Sequence, residues 1–218
     1  MWQSLVDELK DEAFTLVAVA LDHAEAARPW VEAARPAYPC LIDENHQVAA
    51  LYGFVNVPQA VWIDEAGTVV RPPESAGASD AFRHMNRQTG ALPEALMAER
   101  LQTRQRYLDA VKDWVRRGPA SAHALPAAAA VERWPLPDAA EAEAHARFRL
   151  GQALRRQGRE AQAQAQWARA AELHPSSWAI WRQAAPKNER GLAAGPAFWA
   201  RVDALGDRPY YPPAQLGA

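Results

Sequence analysis

A strand that is followed by a tight turn constrains the fold of this chain more than any other segment. Residues 60–64 are mostly apolar, and Val57-Pro58 precedes them closely. Residues 65–68, Glu-Ala-Gly-Thr, supply a turn with a glycine where a positive φ costs little, and Val69-Val70 then returns as a second strand. The pattern predicts an antiparallel hairpin that the chain enters through a proline.

Helical and extended patterns alternate in the residues before this hairpin. In chain order they predict a helix, a strand, a helix, a short strand and a helix, over residues 3–12, 14–22, 24–34, 40–43 and 46–52. The first strand is apolar almost throughout, as in a parallel strand that is covered on both faces. Gly53 suits the left-handed position that ends a helix. An α/β domain is therefore expected.

The remainder of the chain is mainly helical in pattern. Residues 71–80 predict a loop, residues 93–117 a long helix with an apolar stripe, and the Ala- and Pro-rich stretch to about residue 138 a linker. A further helix is expected over residues 196–205, and residues 207–213 have the composition of an extended aromatic and proline strap.

Composition argues against several classes of protein. The formal net charge of −2, with both signs interspersed, gives no basic patch for nucleic acid or an anionic membrane. We expect no membrane span, because no apolar run approaches the roughly 20 residues that a spanning helix needs. No secretory signal opens the sequence, so the chain as given is expected to be cytoplasmic. The single cysteine excludes an intrachain disulfide, and neither a metal site nor another cofactor is expected.

Several motifs in the first 71 residues resemble the redoxin branch of the thioredoxin superfamily, and the TlpA/ResA-type thiol-disulfide oxidoreductases in particular. In chain order they are Asp22 at the end of a strand, Tyr38-Pro39-Cys40-Leu41-Ile42-Asp43, Leu51-Tyr52-Gly53, and Val57-Pro58 before the strand that ends at Ile63-Asp64. The resemblance implies a thioredoxin-like fold with a cis peptide bond before Pro58. It also implies that Val57 pairs its backbone with a bound peptide or thiol partner, so Val57 and Pro58 are the expected substrate-binding residues.

The Cys-x-x-Cys motif of that family is absent from this sequence. In the family it follows a strand that precedes the helix matching residues 2–12, so we expect the chain to be N-terminally truncated relative to the family. That strand lies in the middle of the family's sheet, and an incomplete or rearranged sheet is therefore expected, which a homodimer could complete. Without the cysteine pair the chain is expected to be redox-inactive as given.

A second resemblance lies in the last third of the chain, which is similar to a tetratricopeptide helical hairpin. The positions that carry it are Leu150, Gly151, Leu154, Gly158, Ala163, Trp167, Ala170 and Pro175. The expected architecture is thus α/β, a thioredoxin-like fold lacking its first strand and its CxxC segment, followed by an all-α tetratricopeptide-like domain. The expected domains are residues 1–85 (redoxin), 86–138 (connecting helix and linker) and 139–218 (helical domain with an aromatic tail).

Two functions follow from these patterns. The first is a redoxin-family protein of thiol-disulfide oxidoreductase lineage, and the alternative is a non-catalytic scaffold that binds a protein or peptide through the Val57-Pro58 loop or the helical domain. No catalytic residue is expected except Cys40, a weak candidate for a lone nucleophile, because Leu41 and Ile42 indicate a buried thiol that behaves as a small hydrophobe. Asp22, Asp43 and Asp64 are expected to cap loops.

Overall fold

The computed structural model describes residues 1–134, 136–189 and 191–216. Short 3-10 helices lie at Asp80–His84 and Gly118–Ala120. The strands and α-helices follow one another as α1 Trp2–Glu8, β1 Ala18–Ala20, α2 Ala24–Ala34, β2 Cys40–Ile42, α3 Gln47–Tyr52, β3 Gln59–Ile63, β4 Val69–Ser75, α4 Glu94–Arg117, α5 Ala127–Glu132, α6 Ala139–Arg156, α7 Glu160–Leu173, α8 Trp178–Ala184 and α9 Pro196–Asp203. An α/β segment thus precedes a helical one, in the expected order.

Contacts among residues divide the chain into two units. The first contains Met1–Asp7, Thr15–Val57 and Leu136–Trp199, and the second contains Glu8–Phe14, Pro58–Pro135 and Ala200–Ala218. Each unit is built from segments that are distant in sequence. The domain boundaries after residues 85 and 138 stay predictions.

The sheet of the first unit is a parallel pair. β1 and β2 align Ala18 with Cys40 and Ala20 with Ile42. β1 spans three residues rather than the nine that its apolar pattern predicts, because β2 offers only three residues for it to pair with. Burial of β1 on both faces is not found either, since Ala18, Val19 and Ala20 are only partly buried and Val17 is 47% exposed.

The helical part of the first unit packs around one apolar cluster. α6 and α7 form an antiparallel hairpin, and α8 follows α7 closely in sequence and packs against it. α6 begins with a capping box, in which Asp138 and Glu141 each accept a backbone N–H of the other. The cluster consists of Ala144, Phe148, Leu154, Ala163, Trp167, Ala170 and Ile180. It includes four of the eight positions that resemble a tetratricopeptide hairpin, namely Leu154, Ala163, Trp167 and Ala170.

The closest approach in this hairpin is between Gly151 of α6 and the indole of Trp167 in α7. A Cβ placed on Gly151 would lie 2.4 Å from Trp167 Nε1, closer than real Cβ contacts. The indole is held, because it is buried and its Nε1–H donates to the Phe148 carbonyl at 3.2 Å. Glycine is therefore required at position 151 by packing rather than by backbone conformation.

We expect Gly151→Ala to lower the free energy of unfolding by about 1–3 kcal/mol, because the added methyl overpacks the Trp167 indole. This outweighs the stabilisation of up to about 1 kcal/mol that alanine normally brings inside a helix. Chemical denaturation would measure it. The matched second change is Trp167→Ala, which removes the indole atoms that the new Cβ would meet, so the double variant should be more stable than the sum of the two single changes predicts. Strict additivity would contradict the steric explanation.

The second unit contains the predicted hairpin. β3 and β4 are antiparallel, and Asp64 Oδ1 accepts the N–H groups of Ala66 and Thr68 in the turn between them. Gly67 has φ +80°, as the turn requires. β4 continues through Pro72-Pro73, where the sequence predicts a loop. The two prolines are tolerated because the register shifts opposite them, so the ladder does not need their missing donors.

The long helix α4 packs on this hairpin through aromatic side chains. Trp62 of β3 is buried and donates from Nε1 to the Tyr107 hydroxyl at 2.9 Å. It also stacks on Trp114, with ring centroids 5.1 Å apart. α4 ends one residue before Gly118, as the sequence predicts. The expected Ala/Pro linker contains a helix of its own, α5.

Candidate functional site

The loop that precedes Pro58 is held by helix α8 of the same unit. α3 ends at Gly53, whose φ of 71° places it in the left-handed region. The Val55 carbonyl then accepts the N–H of Ala179 at 3.0 Å. Arg182 donates from an Nη atom to Asn56 Oδ1, also at 3.0 Å. The start of a helix from the last third of the chain thus positions residues 55–57.

The side chain of Asn56 accepts two hydrogen bonds that fix the conformation of this loop. It is buried, and its Oδ1 accepts both the Arg182 guanidinium and, at 2.9 Å, the N–H of Val57. The Val57 side chain, by contrast, is 44% exposed. The N–H that the family resemblance assigns to peptide pairing is therefore engaged by Asn56 in this state. Pro58, which opens the second unit, is exposed, and its carbonyl accepts the N–H of Ala76 at 3.1 Å.

Replacing Asn56 tests this arrangement. Asn56→Ala should raise the hydrogen-exchange rate of the Val57 amide and lower the free energy of unfolding by about 1–3 kcal/mol, because a buried guanidinium contact and an amide lose their acceptor. Amide exchange followed by NMR would measure the rate. Asn56→Asp is the matched control, since it keeps an acceptor for both donors. Equal protection of Val57 in the alanine variant and the wild type would show that Asn56 does not hold the loop.

Cys40 lies at the start of β2 and is half-buried. Its described hydrogen bond runs from Sγ to the Tyr38 carbonyl, 3.8 Å away. A carbonyl oxygen can only accept a hydrogen bond, so this contact supplies no donor to the sulfur. Burial raises the pKa of the neighbouring Tyr38 hydroxyl, with a smaller contribution from Cys40. The geometry around Cys40 resembles that of a packed thiol more than that of an activated nucleophile.

The aspartates at the strand ends cap backbone groups, as the sequence predicts. Asp43 accepts the N–H groups of Gln47 and Ala49 at 2.7 and 3.0 Å and so begins α3. Asp22 accepts the N–H of His23 at 2.9 Å. These carboxylates therefore have a structural role in capping backbone N–H groups.

His46 is a buried polar residue in this unit that sequence reasoning did not single out. It is 2% exposed and stacks on Phe148 of α6, with ring centroids 4.2 Å apart. Its backbone is left-handed, with φ 50°. Because the Leu21 carbonyl 3.3 Å from Nε2 can only accept, Nε2 carries the proton, and Nδ1 has no partner among the described residues. No sequence pattern distinguishes such a histidine from a solvated one.

Burial lowers the pKa of His46 from its ordinary value of 6.5 to about 4. Burial also lowers the pKa of His145 and of His174, and Glu141, 3.2 Å from the His174 ring, partly opposes the latter shift. All three imidazoles lie in the first unit. The folded state therefore favours their neutral forms.

This shift predicts a loss of stability in acid. A histidine whose folded pKa is depressed stabilises the fold fully above its unfolded pKa, and this contribution is lost as the pH falls from 6.5 to about 4. For His46 the loss should be roughly 3 kcal/mol. We expect His46→Asn, which tolerates a positive φ, to remove that part of the pH dependence in denaturation curves measured from pH 8 to pH 4. His84→Asn, at an exposed position, should retain the wild-type dependence. Identical slopes for His46→Asn and wild type would contradict this assignment.

Comparison with known proteins supports the lineage of the first segment. Residues 1–71, about a third of the chain, match the AhpC/TSA family. The match supports the redoxin, thioredoxin-like lineage that the motifs around Asp22, Gly53 and Pro58 predict. None of the curated proteins and none of the solved structures matches the chain.

Within residues 1–134, 136–189 and 191–216, no group of three or more His, Cys, Asp or Glu side chains is arranged to hold a metal ion. Among the helices of these same ranges, none is long and apolar enough to cross a membrane.

Proposed function

We propose that this chain is a redoxin-lineage binding module, of TlpA/ResA type, that engages a protein partner through the Val57-Pro58 loop and does not exchange disulfides within these 218 residues. The observation that supports this most is that Val57 is exposed while hydrogen bonds of Asn56 with Arg182 and with the Val57 N–H fix its loop. A preformed loop reduces the entropy that a partner must remove on binding.

The cysteine content supports the non-catalytic part of the proposal. Thiol-disulfide exchange by a single protein needs an attacking thiolate and a second thiol to resolve the mixed disulfide. This sequence contains one cysteine, and its described hydrogen bond is to a backbone carbonyl. Cys40 therefore has no second thiol in this sequence to resolve a mixed disulfide, and its described hydrogen bond is not of the kind that activates a thiol.

The helical hairpin supports the scaffold interpretation. In our proposal α6 and α7 form a tetratricopeptide-like hairpin that stiffens the redoxin segment of the first unit. Gln152 donates to the Glu44 carbonyl at 2.7 Å, Arg156 donates to Asn45 Oδ1 at 2.9 Å, and Arg155 pairs with the Glu44 carboxylate at 3.7 Å. These contacts join α6 to the turn before α3, whereas α8 holds the loop after it.

The test separates binding from redox chemistry. We expect the protein not to accelerate insulin reduction by a thiol, and Cys40 to react with an alkylating reagent no faster than a packed thiol. Partners captured by the wild-type protein from its native cells should also be captured by Cys40→Ser and be lost with Val57→Arg. Leu136→Arg, at a 91% exposed apolar position of the same unit, is the matched control and should retain them. Loss of the same partners in Cys40→Ser would indicate thiol chemistry instead.

A further inference from the structure

The C-terminal end of the second unit is bound to its surface like a peptide ligand. After α9 the chain turns at Gly206, with φ 57°, and continues without helix or strand to residue 216. We call residues 206–216 the terminal strap; its sequence includes Tyr210-Tyr211-Pro212-Pro213. Tyr210 is buried, whereas both prolines are exposed.

The first half of the terminal strap is held by the 3-10 helix at Asp80–His84. The Asp80 carboxylate accepts the backbone N–H groups of Tyr210 and Tyr211 at 2.8 and 2.7 Å. Arg83 pairs with Asp80 and donates to the carbonyls of Gly206 and Arg208 at 2.7 and 3.0 Å. Between these two charged residues, Phe82 contacts the two tyrosine rings edge-on, with centroids 4.9 and 5.8 Å away.

The second half is held by a buried ion pair on β4. Arg71, whose side chain is almost fully buried, makes two hydrogen bonds to the Glu74 carboxylate, at 2.6 and 3.1 Å. The pair also binds both backbone groups of one strap residue. Arg71 donates to the Gln215 carbonyl at 2.5 Å, and Glu74 accepts the Gln215 N–H at 3.0 Å. Arg71 also donates to the His123 carbonyl at 2.7 Å, and its guanidinium lies 5.2 Å from the centre of the Trp62 ring.

These contacts have one property in common: charged side chains bind the backbone N–H and C=O groups of the strap. Such charge-assisted hydrogen bonds recognise the backbone conformation of a peptide and do not depend on its side chains. Selectivity comes from the contacts of Phe82 with the tyrosine pair, and the prolines favour an extended backbone before binding. A buried Arg–Glu pair is costly unless its remaining donors and acceptors are satisfied, and the backbone of Gln215 satisfies one donor of Arg71 and one acceptor of Glu74.

We propose that this surface, the strap groove (Arg71, Glu74, Asp80, Phe82 and Arg83), is a binding site for extended peptides with an aromatic pair followed by prolines. The terminal strap is its ligand in cis. The ligand in trans is the strap of a second copy, because the backbone and the tyrosine pair of this strap are what the groove contacts in the structure. Because the strap is tethered, its effective concentration at the groove is on the order of millimolar, so the strap of a second copy binds only weakly while the strap in cis is in place. The groove belongs to the second unit, whereas Val57 belongs to the first.

The experiment uses the full chain and a fluorescent synthetic peptide of residues 206–216, with binding followed by anisotropy. Tyr210→Ala/Tyr211→Ala removes the aromatic anchor of the strap and leaves the groove intact, and it should bind the peptide at least tenfold more tightly than the wild type does. Adding Asp80→Ala to that variant should abolish the gain. A folded Tyr210→Ala/Tyr211→Ala variant that binds the peptide no better than a scrambled peptide would overturn the proposal.

A second pair of variants keeps the test decisive if the tyrosine variant does not fold. Gln215→Pro removes the N–H that Glu74 accepts, whereas Gln215→Ala keeps it, and residue 215 is exposed in both cases. The proline variant should bind the peptide more tightly than the alanine variant, and equal affinities would overturn the proposal. Sedimentation velocity at high protein concentration tests the source of the ligand: a dimer that excess peptide dissociates supports a second copy, whereas a monomer that binds the peptide would overturn that source and assign the groove to another protein.

Discussion

The stacking of His46 on Phe148 matters most for the first unit, because it joins an α/β segment that could not be stable alone to a helical core. A two-stranded sheet is at best marginal in water, and β1 and β2 pair over only three residues. The buried imidazole lies at the start of α3, next to the turn that Gln152 and Arg156 of α6 hold. The short sheet therefore depends on apolar burial that the last third of the chain supplies.

Short strands leave backbone N–H groups that the hydrogen bonds of a longer strand pair would satisfy. In this protein several polar side chains accept these N–H groups instead. Asn56 accepts the N–H of Val57 before the hairpin, and Asp64 caps the hairpin turn. Asp80 and Glu74 do the same for the terminal strap. Buried N–H groups are costly when unpaired, so these acceptors are needed wherever secondary structure ends early. The two proposed binding regions both arise at such places.

Much of the local structure could be predicted from the sequence, and the reasons are local. Gly53 and Gly67 have the positive φ that their positions require, the hairpin forms around residues 64–68, and the helix predicted over residues 93–117 is found as Glu94–Arg117. The exposed Val57 could also be placed on a loop after α3. Arg182, which helps to hold that loop, could not be predicted as part of the site because it lies 126 positions from Asn56. A hydrogen bond across that separation leaves no pattern in a single sequence.

The sequence by itself determined the positions of α2, α4 and the hairpin turn, because glycine conformations, capping carboxylates and apolar periodicity act over a few residues. It also carries the similarity of residues 1–71 to the AhpC/TSA family and the lack of a second thiol. Only the tertiary structure decided that β1 is limited to three residues and that β4 continues through Pro72-Pro73. It also decided that Arg71 and Glu74 bind the backbone of Gln215. Those outcomes depend on which distant segment satisfies a buried group, and that is set by packing rather than by local propensity.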